Sequence, residues 1–293
     1  MLHEIQPKVF DNHFVYQTAT DQDLFLSYRD DSVLIKEDKD KLWYPSFAEY
    51  FRNNSEPYSR AEYLFTIDGL RFFLMESVEE RPQEGWVYVS TNRFRSEPKY
   101  WRSFAGVVGW QLNRWYQNRK FCGACGTGLI RSTKERMLQC PKCGATNYPT
   151  ICPSVIVGIH DGDRLLLTKY AGRAYTNFSL VAGFVEVGES LEQAVHREVM
   201  EEVGLTIKNL RYYKSQPWPF SDSLLAGFWA ELDGDPTITL DETELSVGIW
   251  VKREELPNMD GSISLTGDMI HAFREGRERS EEIRQSLGDA GNG

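Results

Sequence analysis

The chain has 293 residues, of which 41% are hydrophobic and 26% charged, so it is long enough for one large or two ordinary globular domains. Aromatic residues make up 13%, which excludes a mainly disordered protein, and the net charge of −10 argues against generic binding to DNA or other nucleic acids. No run approaches the roughly 18 apolar residues of a membrane helix. Residues 1–14 also lack the apolar stretch of a signal peptide, so we expect a cytoplasmic protein that does not contact membranes.

The first part of the chain, residues 1–118, is predicted to form an α+β domain. Strand-like runs are separated by turn signals such as Asp30-Asp31 and Asp68-Gly69. A helix is predicted for residues 100–120, where large apolar residues recur at three- and four-residue spacing. The predicted strands cover residues 24–28, 33–35, 63–67, 71–75 and 86–90. This part of the chain contains no recognisable chemical motif.

Four of the five cysteines form two Cys-x-x-Cys pairs with fourteen residues between them. The pairs are Cys122 with Cys125 and Cys140 with Cys143. Clustering of this kind, in a chain without a signal peptide, indicates a metal site and not a disulfide framework. Four thiolates complete a tetrahedral zinc site, so we predict one structural Zn²⁺ per chain in a ribbon over residues 119–148. A redox pair is the alternative, which two pairs at this spacing disfavour; Cys152 is predicted to be a buried spectator.

A strongly marked helix follows a glycine-rich loop in the second half of the chain. Ser190 is a good N-cap residue, and Gln193 three positions later completes a capping box. Gly204 suits the C-terminal cap position. These signals predict a helix over residues 191–203.

Three carboxylates share one face of this helix, because Glu198, Glu201 and Glu202 stand at positions i, i+3 and i+4. The upstream part of the same stripe is apolar and should be buried, so the carboxylates emerge where a buried stripe ends. Hard oxygen ligands gathered in this way suit Mg²⁺ or Mn²⁺. An exposed acidic face is the commoner meaning of paired glutamates, but it does not explain the glycine-rich approach loop.

The segment 183–205 meets the pattern G-x5-E-x7-R-E-U-x-E-E-x-G-U, where U is aliphatic, and so resembles the Nudix hydrolases. The matching residues are Gly183, Glu189, Arg197, Glu198, Val199, Glu201, Glu202, Gly204 and Leu205. The resemblance implies an α/β/α sandwich with a mixed sheet, which we assign to residues 149–280, followed by a flexible tail over 281–293. It also implies that the three helix glutamates hold catalytic divalent metals, and that Arg197 supports them through an ion pair with Glu189.

A second motif narrows the resemblance. Ser215-Gln-Pro-Trp-Pro-Phe220 lies ten residues beyond the Nudix pattern and, with the preceding ribbon, looks like the NADH pyrophosphatase subfamily, whose members are also known as NAD-capped RNA hydrolases. The likeness covers residues 121 to about 275. By position it implies two further metal ligands, the Ala182 carbonyl and Glu244. It implies substrate contacts from Tyr148, Phe184, Gln216, Pro217, Trp218, Pro219, Phe220, Ser221, Asp222, Ser223 and Ser264.

Three departures from the subfamily concern fine specificity, and one is Cys152, which stands where other small residues are common. Ser221-Asp222-Ser223 stands where the family usually continues with a second Pro-x-Ser, and Ser264 replaces an alanine often found near the bound nucleotide. Trp218 and Phe220 would be simple core packing in most proteins. Their rigid proline-flanked setting beside a metal site favours a stacking platform for a flat base.

The expected reaction is attack of water on a pyrophosphate phosphorus, with a glutamate accepting the proton. Glu201 and Glu202 are the candidate bases, with Glu244 third. NADH or NAD⁺ would give nicotinamide mononucleotide and AMP, and NAD-capped RNA would give a 5′-monophosphate RNA; the family also suggests a homodimer. The alternatives are hydrolysis of another dinucleotide or a nucleotide sugar, a ligand-sensing regulator without activity, or a zinc-ribbon interaction module.

A basic cluster around the ribbon suggests how RNA would be held. Its members are Arg119, Lys120, Arg131, Lys134 and Arg136. Cations beside the cap site would bind the first phosphates of the RNA in a salt-dependent manner. The alternative is that these side chains only balance local acids such as Glu135.

Overall fold

The computed structural model describes residues 1–38, 41–51, 56–76, 78, 83–95, 100–172, 177–259 and 261–278. The chain forms two compact units, one over Leu2–Thr150 and the other from Met1 together with the residues from Ile151 onward. The predicted tail, residues 281–293, lies outside the described residues. Within the described ranges, no helix is long and apolar enough to cross a membrane.

The N-terminal unit is built on a mixed sheet. Seven strands of its described residues pair in the order β1-β5-β6-β2-β3-β4, with β7 also paired to β3, and only the β2–β6 pair is parallel. The strands are β1 (Phe10–Asp11), β2 (Leu24–Arg29), β3 (Ser32–Asp38), β4 (Lys41–Trp43), β5 (Glu62–Ile67), β6 (Leu70–Met75) and β7 (Val87–Ser90). The five predicted strands are confirmed to within three residues at each end.

A long helix packs against this sheet through two glycines. The predicted helix is confirmed as α2 (Tyr100–Asn118), and a short α1 (Phe47–Phe51) and two 3-10 turns precede it. A Cβ atom at Gly106 would lie 2.1 Å from the ring of Phe94, and one at Gly109 would lie 2.3 Å from Leu26. Leu26 lies in β2 and Phe94 in the 3-10 turn Thr91–Arg95, so the helix lies close to both elements because these two positions carry no side chain.

The ribbon belongs to the same unit. It contributes a small antiparallel sheet of β8 (Ile130–Arg131), β9 (Leu138–Gln139) and β10 (Thr146–Asn147), in the order β10-β9-β8. At its end, the indole N–H of Trp115 in α2 donates to the side chain of Asn147 over 2.7 Å. The ribbon is therefore joined to α2 by contacts within one unit.

The C-terminal unit is an α/β/α sandwich, as expected. Its described strands pair in the order β14-β15-β11-β12-β16, with β13 also paired to β11; β11 and β15 are parallel and the other pairs antiparallel. The strands are β11 (Cys152–Asp161), β12 (Arg164–Tyr170), β13 (Val181–Phe184), β14 (Ile207–Trp218), β15 (Ser223–Leu232) and β16 (Leu245–Lys252). The helices are α3 (Leu191–Val203) and α4 (Leu265–Arg274).

Alternation along β11 places one helix on each face of the sheet. Val155, Val157 and Ile159 belong to the apolar cluster that includes the buried face of α3. Ile156 belongs to the opposite cluster, which includes the buried face of α4. Successive side chains of a strand point to opposite faces, so a strand covered on both sides reads as a continuous apolar run.

Candidate active site

Helix α3 has the ends that its sequence predicts. The Ser190 side chain accepts from the backbone N–H of Gln193, and the Gln193 side chain accepts from the backbone N–H of Ser190. Gly204 ends the helix with φ at 66°, a left-handed conformation that glycine adopts without strain. Ala194 and Val195 are fully buried, so the apolar face of the helix and its two caps hold it in place.

Arg197 organises the carboxylates of the site. Its guanidinium binds Glu189 in a bidentate pair, with distances of 2.7 and 2.9 Å, and contacts Glu198 at 2.7 Å and Glu201 at 2.9 Å. It also donates to the backbone carbonyl of Phe184 over 2.9 Å, which ties the approach loop to the helix. The expected ion pair between Arg197 and Glu189 is thus present.

The ion pair shifts the titration of both partners. The hydrogen bond from Arg197, together with one from the backbone N–H of Glu186, lowers the pKa of Glu189 from 4.5 to about 2. The same pair raises the pKa of Arg197. Because the pKa of Glu189 is depressed by folding, its stabilising contribution is complete above the unfolded value of 4.5 and is lost as the pH falls towards 2.

Glu198 lies in a cradle that a larger residue would fill. A Cβ atom at position 183 would stand 2.0 Å from its carboxylate, so only glycine leaves room for it. Burial raises the pKa of Glu198, which outweighs the opposing effect of Arg197, and the charges of Glu201 and Glu244 raise it further. The Glu198 carboxylate therefore binds a proton more readily than a glutamate in water does.

The loop that carries Glu244 is fastened to the end of α3. The backbone N–H of Asp241 donates to the carbonyl of Glu202 over 3.0 Å, and that of Thr239 donates to the carbonyl of Val203 over 2.9 Å. The Asp241 side chain then accepts from the N–H and hydroxyl of Thr243, which turns the chain at Glu244. Sequence reasoning missed this device, although Asp-x-Thr is a recognisable turn signal.

The carboxylates fit a divalent cation by their chemistry. Glu202 is buried with 3% exposure, Glu198 is partly buried, and Glu201 and Glu244 are exposed, so the group runs from the interior to the surface. Ala182 lies on β13 beside the Gly183 cradle, opposite Ile156 in the sheet. Glu198 and Glu201, both bound by Arg197, offer the oxygen donors that hard cations prefer, whereas among the described residues the group whose ligand atoms already lie within 4.8 Å of one another is the four ribbon cysteines.

The Gln-Pro-Trp-Pro-Phe segment ends β14 and continues into a 3-10 turn (Pro219–Ser221). The rings of Trp218 and Phe220 are partly exposed and lie 5.0 Å apart between centroids, at 53°. Asp222 has φ at 55°, and its carbonyl accepts from the N–H of Cys152 over 2.7 Å. This bond fastens the turn to the start of β11.

Gln216 differs from the rest of that segment. It is fully buried, its amide nitrogen donates to the carbonyl of Ile263 over 2.8 Å, and its amide oxygen accepts from the N–H of Leu265 over 2.6 Å. Ser264 between them is the N-cap of α4 and accepts from the N–H of Gly267. The amide of Gln216 is thus bonded to the segment that starts α4, and a direct contact with substrate stays a prediction.

The four ribbon cysteines are brought together as predicted. Three pairs of sulfur atoms lie 3.5 to 3.7 Å apart, and all four lie within 4.8 Å of one another. Tetrahedral zinc with Zn–S bonds of about 2.3 Å requires sulfur atoms about 3.8 Å apart. Gly126 and Gly144, with φ at 70° and 77°, make the tight turns after each pair. The residues present therefore fit a structural zinc ion.

Two arginines of the basic cluster are bound within the N-terminal unit. Arg131 pairs with Glu76 at 2.7 Å and with Glu62 at 3.5 Å. Arg136 donates to the side chain of Asn12 over 2.6 Å and to the carbonyl of Leu64. These contacts fasten the ribbon to the N-terminal sheet and support the alternative that such charges balance local groups.

Tyr148 ends the ribbon on the surface of the N-terminal unit. Its side chain is 52% exposed, and its hydroxyl donates to Glu135 over 3.3 Å. Exposure leaves one face of the ring open to a ligand. Its contact with substrate stays a prediction.

Comparison with known proteins agrees with both motifs. A family model described as the NUDIX domain matches residues 151–271, and one described as the NADH pyrophosphatase zinc ribbon domain matches residues 117–148. The NAD-capped RNA hydrolase NudC of Haemophilus influenzae (strain PittGG) is 35% identical over 240 residues, which cover 77% of this chain and 89% of the relative. The protein of the same name from Shigella flexneri is 47% identical over 150 residues, covering 51% of this chain and 58% of its own.

Proposed function

Because this chain belongs to the Nudix hydrolase family, in the branch that carries the NADH pyrophosphatase zinc ribbon, we propose that it hydrolyses the pyrophosphate of NADH and NAD⁺. The products are nicotinamide mononucleotide, in its reduced form from NADH, and AMP. The same cut on NAD-capped RNA leaves a 5′-monophosphate end. The observation that carries the proposal is the group of carboxylates that Arg197 binds on α3 and in the loop before it. The chain that holds this group is similar along most of its length to an NAD-capped RNA hydrolase.

The proposed cofactor of the reaction is Mg²⁺ or Mn²⁺, held by Glu198, Glu201, Glu202, Glu244 and the Ala182 carbonyl. When bound, such an ion neutralises phosphate oxygens and lowers the pKa of a water molecule. The chain's own part is to hold the carboxylates in place through Arg197 and to accept the proton of the attacking water. The bond between phosphorus and the bridging oxygen breaks, and that oxygen leaves with the second nucleotide.

Glu201 and Glu202 are the proposed candidates for the proton acceptor, with Glu244 third. Arg197 donates to Glu198 and Glu201, and Glu202 is the buried member of the group. Replacing Glu201 and Glu202 one at a time distinguishes the two candidates.

The proposal is tested by the release of AMP from NADH by the full chain in the presence of Mg²⁺ or Mn²⁺. Glu201→Gln and Glu202→Gln keep the shape of the side chain and remove a charge, so we expect kcat to fall at least about 100-fold with the fold intact. Glu242→Gln changes an exposed glutamate on the neighbouring loop and should retain near-full activity. Near-full turnover in either helix variant means that this residue is neither ligand nor base.

The substrate class is tested by a panel of pyrophosphates. NADH, NAD⁺ and NAD-capped RNA should be cleaved in preference to nucleotide sugars and other dinucleotides. A strong preference for a nucleotide sugar would place the chain with another specificity in the same family. The homodimer is a separate proposal, which sedimentation of the purified chain decides.

A further inference from the structure

Four residues form one row across the sheet of the C-terminal unit. Phe184 of β13 lies opposite Ser154 of β11, Ser154 lies beside Leu225 of β15, and Leu225 lies opposite Gln216 of β14. Side chains of directly opposed residues point to the same face and stand about 5 Å apart. The row therefore joins Phe184 and Gln216, the two members for which the resemblance predicts substrate contacts, through Ser154 and Leu225, which no motif includes.

The row lies on the face of the sheet that α4 covers. Ile156 and Ala182, each two positions from a member of the row, pack in the cluster of α4 with Leu225. At one end of the row, the amide of Gln216 is bonded to the backbone of Ile263 and Leu265. At the other end, Phe184 is 54% exposed. The row thus runs from Gln216, which is buried and bonded to the start of α4, to Phe184, which is exposed on β13.

The hydroxyl of Ser154 makes no hydrogen bond within the described part of the chain. Its residue is 5% exposed, its Oγ is buried, and this oxygen has no hydrogen-bond partner among the described residues. A buried hydroxyl left unpaired destabilises a protein, so this oxygen is available for a hydrogen bond to water or to a ligand. Gln216 does not satisfy it, because Leu225 of β15 stands between the two residues and the Gln216 amide is directed to residues 263 and 265.

We propose that Ser154 is a substrate-contacting residue whose hydroxyl forms a hydrogen bond with the carboxamide of the nicotinamide base, while the base lies against Phe184. The inference rests on the proposed function and adds a specificity contact to it. A flat ring stacks favourably on an exposed aromatic face, and a substituent on its edge then reaches the opposed residue about 5 Å away. Phe184, the residue directly opposite Ser154, is exposed, so the hydroxyl lies beside a side chain that a ligand reaches from solvent.

The test measures steady-state kinetics of Ser154→Ala with two substrates. NADH carries the carboxamide, whereas ADP-ribose keeps the adenine, the pyrophosphate and both riboses but lacks the nicotinamide. We expect KM for NADH to rise about fivefold, the typical effect of one neutral hydrogen bond, with kcat little changed and the kinetics of ADP-ribose unaffected. The melting temperature should stay the same or rise, because an unpaired buried hydroxyl has been removed.

Thr168→Val is the matched control. Thr168 lies on β12 of the same sheet, is fully buried, and also has an unpaired hydroxyl among the described residues. Its replacement should affect stability in the same direction and leave KM for NADH unchanged. Ser154→Cys, with a weaker donor of similar size, should give an intermediate KM and covers the case in which the alanine variant does not fold.

The outcomes separate this inference from the proposed function. If the wild-type chain does not cleave NADH, the proposed function fails and this inference fails with it. If the wild type cleaves NADH and Ser154→Ala has an unchanged KM, the inference alone is overturned. An equal rise in KM for ADP-ribose would also overturn it, because the hydroxyl would then not recognise the base.

Discussion

Gly183→Ala separates the geometry of the site from the stability of the fold. The added Cβ would lie 2.0 Å from the carboxylate of Glu198, whereas an ordinary contact needs about 3.4 Å. The carboxylate must therefore retreat by about 1.4 Å, the difference between the two distances. Its contact with Arg197, now 2.7 Å, would then exceed hydrogen-bond range.

A misplacement of this size is large for catalysis and small for folding. Displacing a catalytic group by about 1 Å costs about 100-fold in rate, so we expect kcat for NADH to fall by about that factor. The atom that must move is the end of a flexible side chain, so the loss of stability should stay near the lower end of overpacking costs, about 1 kcal/mol. Such a loss lowers the melting temperature by about 2–4 °C in a domain of this size.

The assay combines AMP release with thermal unfolding of the same preparations. Gly128→Ala is the control, because a Cβ atom at that position meets nothing within 4 Å. Full activity in Gly183→Ala would refute the reasoning, since the carboxylate position would then not matter. A fall in activity matched by general unfolding would refute it too, because the cradle would be a folding requirement and not a catalytic one.

Two further predictions concern the N-terminal unit. Cys122→Ser should release zinc and unfold the ribbon, whereas Cys152→Ser should keep about one zinc per chain by metal analysis; a zinc-free but fully folded wild type would contradict the site. Arg131 and Arg136 are bound to neighbouring residues, so replacing them with glutamate should lower stability and cannot test whether the basic cluster binds RNA. Replacing the exposed cations of the cluster with glutamate should instead weaken hydrolysis of NAD-capped RNA, flatten its salt dependence and leave the rate of NADH hydrolysis unchanged. An equal change in the hydrolysis of both substrates would exclude RNA binding by the cluster. These exposed cations are Arg119, Lys120 and Lys134.

Local signals allowed the catalytic helix to be predicted to the residue. A cap, a capping box and a terminal glycine all act within one turn of the helix end, so the segment 191–203 needs no distant contact to be recognised. The ribbon could be predicted from the sequence equally well, because the spacing within each cysteine pair itself indicates the turn. The domain fold followed from the resemblance, and the burial of β11 on both faces agrees with its continuous apolar run.

The contacts that the sequence did not predict join residues far apart in the chain. Gln216 bonds to residues 47 and 49 positions away, so its burial could not be seen from the motif around it. Arg131 and Arg136 were interpreted by charge alone, whereas their partners stand 55 or more residues earlier. Ser154 had a weak local signal, as the serine before the apolar run Val155 to Val157, but the surroundings of its unpaired hydroxyl depend on the two strands beside it, β13 and β15.

Strand β13 lies between the proposed catalytic carboxylates and the proposed substrate contacts. Gly183 faces α3 and leaves room for Glu198, while Ala182 faces the cluster of α4 and Phe184, two residues on, shares that face. The glycine that makes room for Glu198 and the exposed Phe184 are therefore consecutive residues of a four-residue strand. A slip of one residue in its pairing with β11 would exchange the two faces, bringing a side chain into the cradle of Glu198 and removing Phe184 from Ser154. The four residue pairs between β13 and β11 therefore set the faces of Gly183 and Phe184 together, so the proposed catalytic and substrate-binding roles depend on one register.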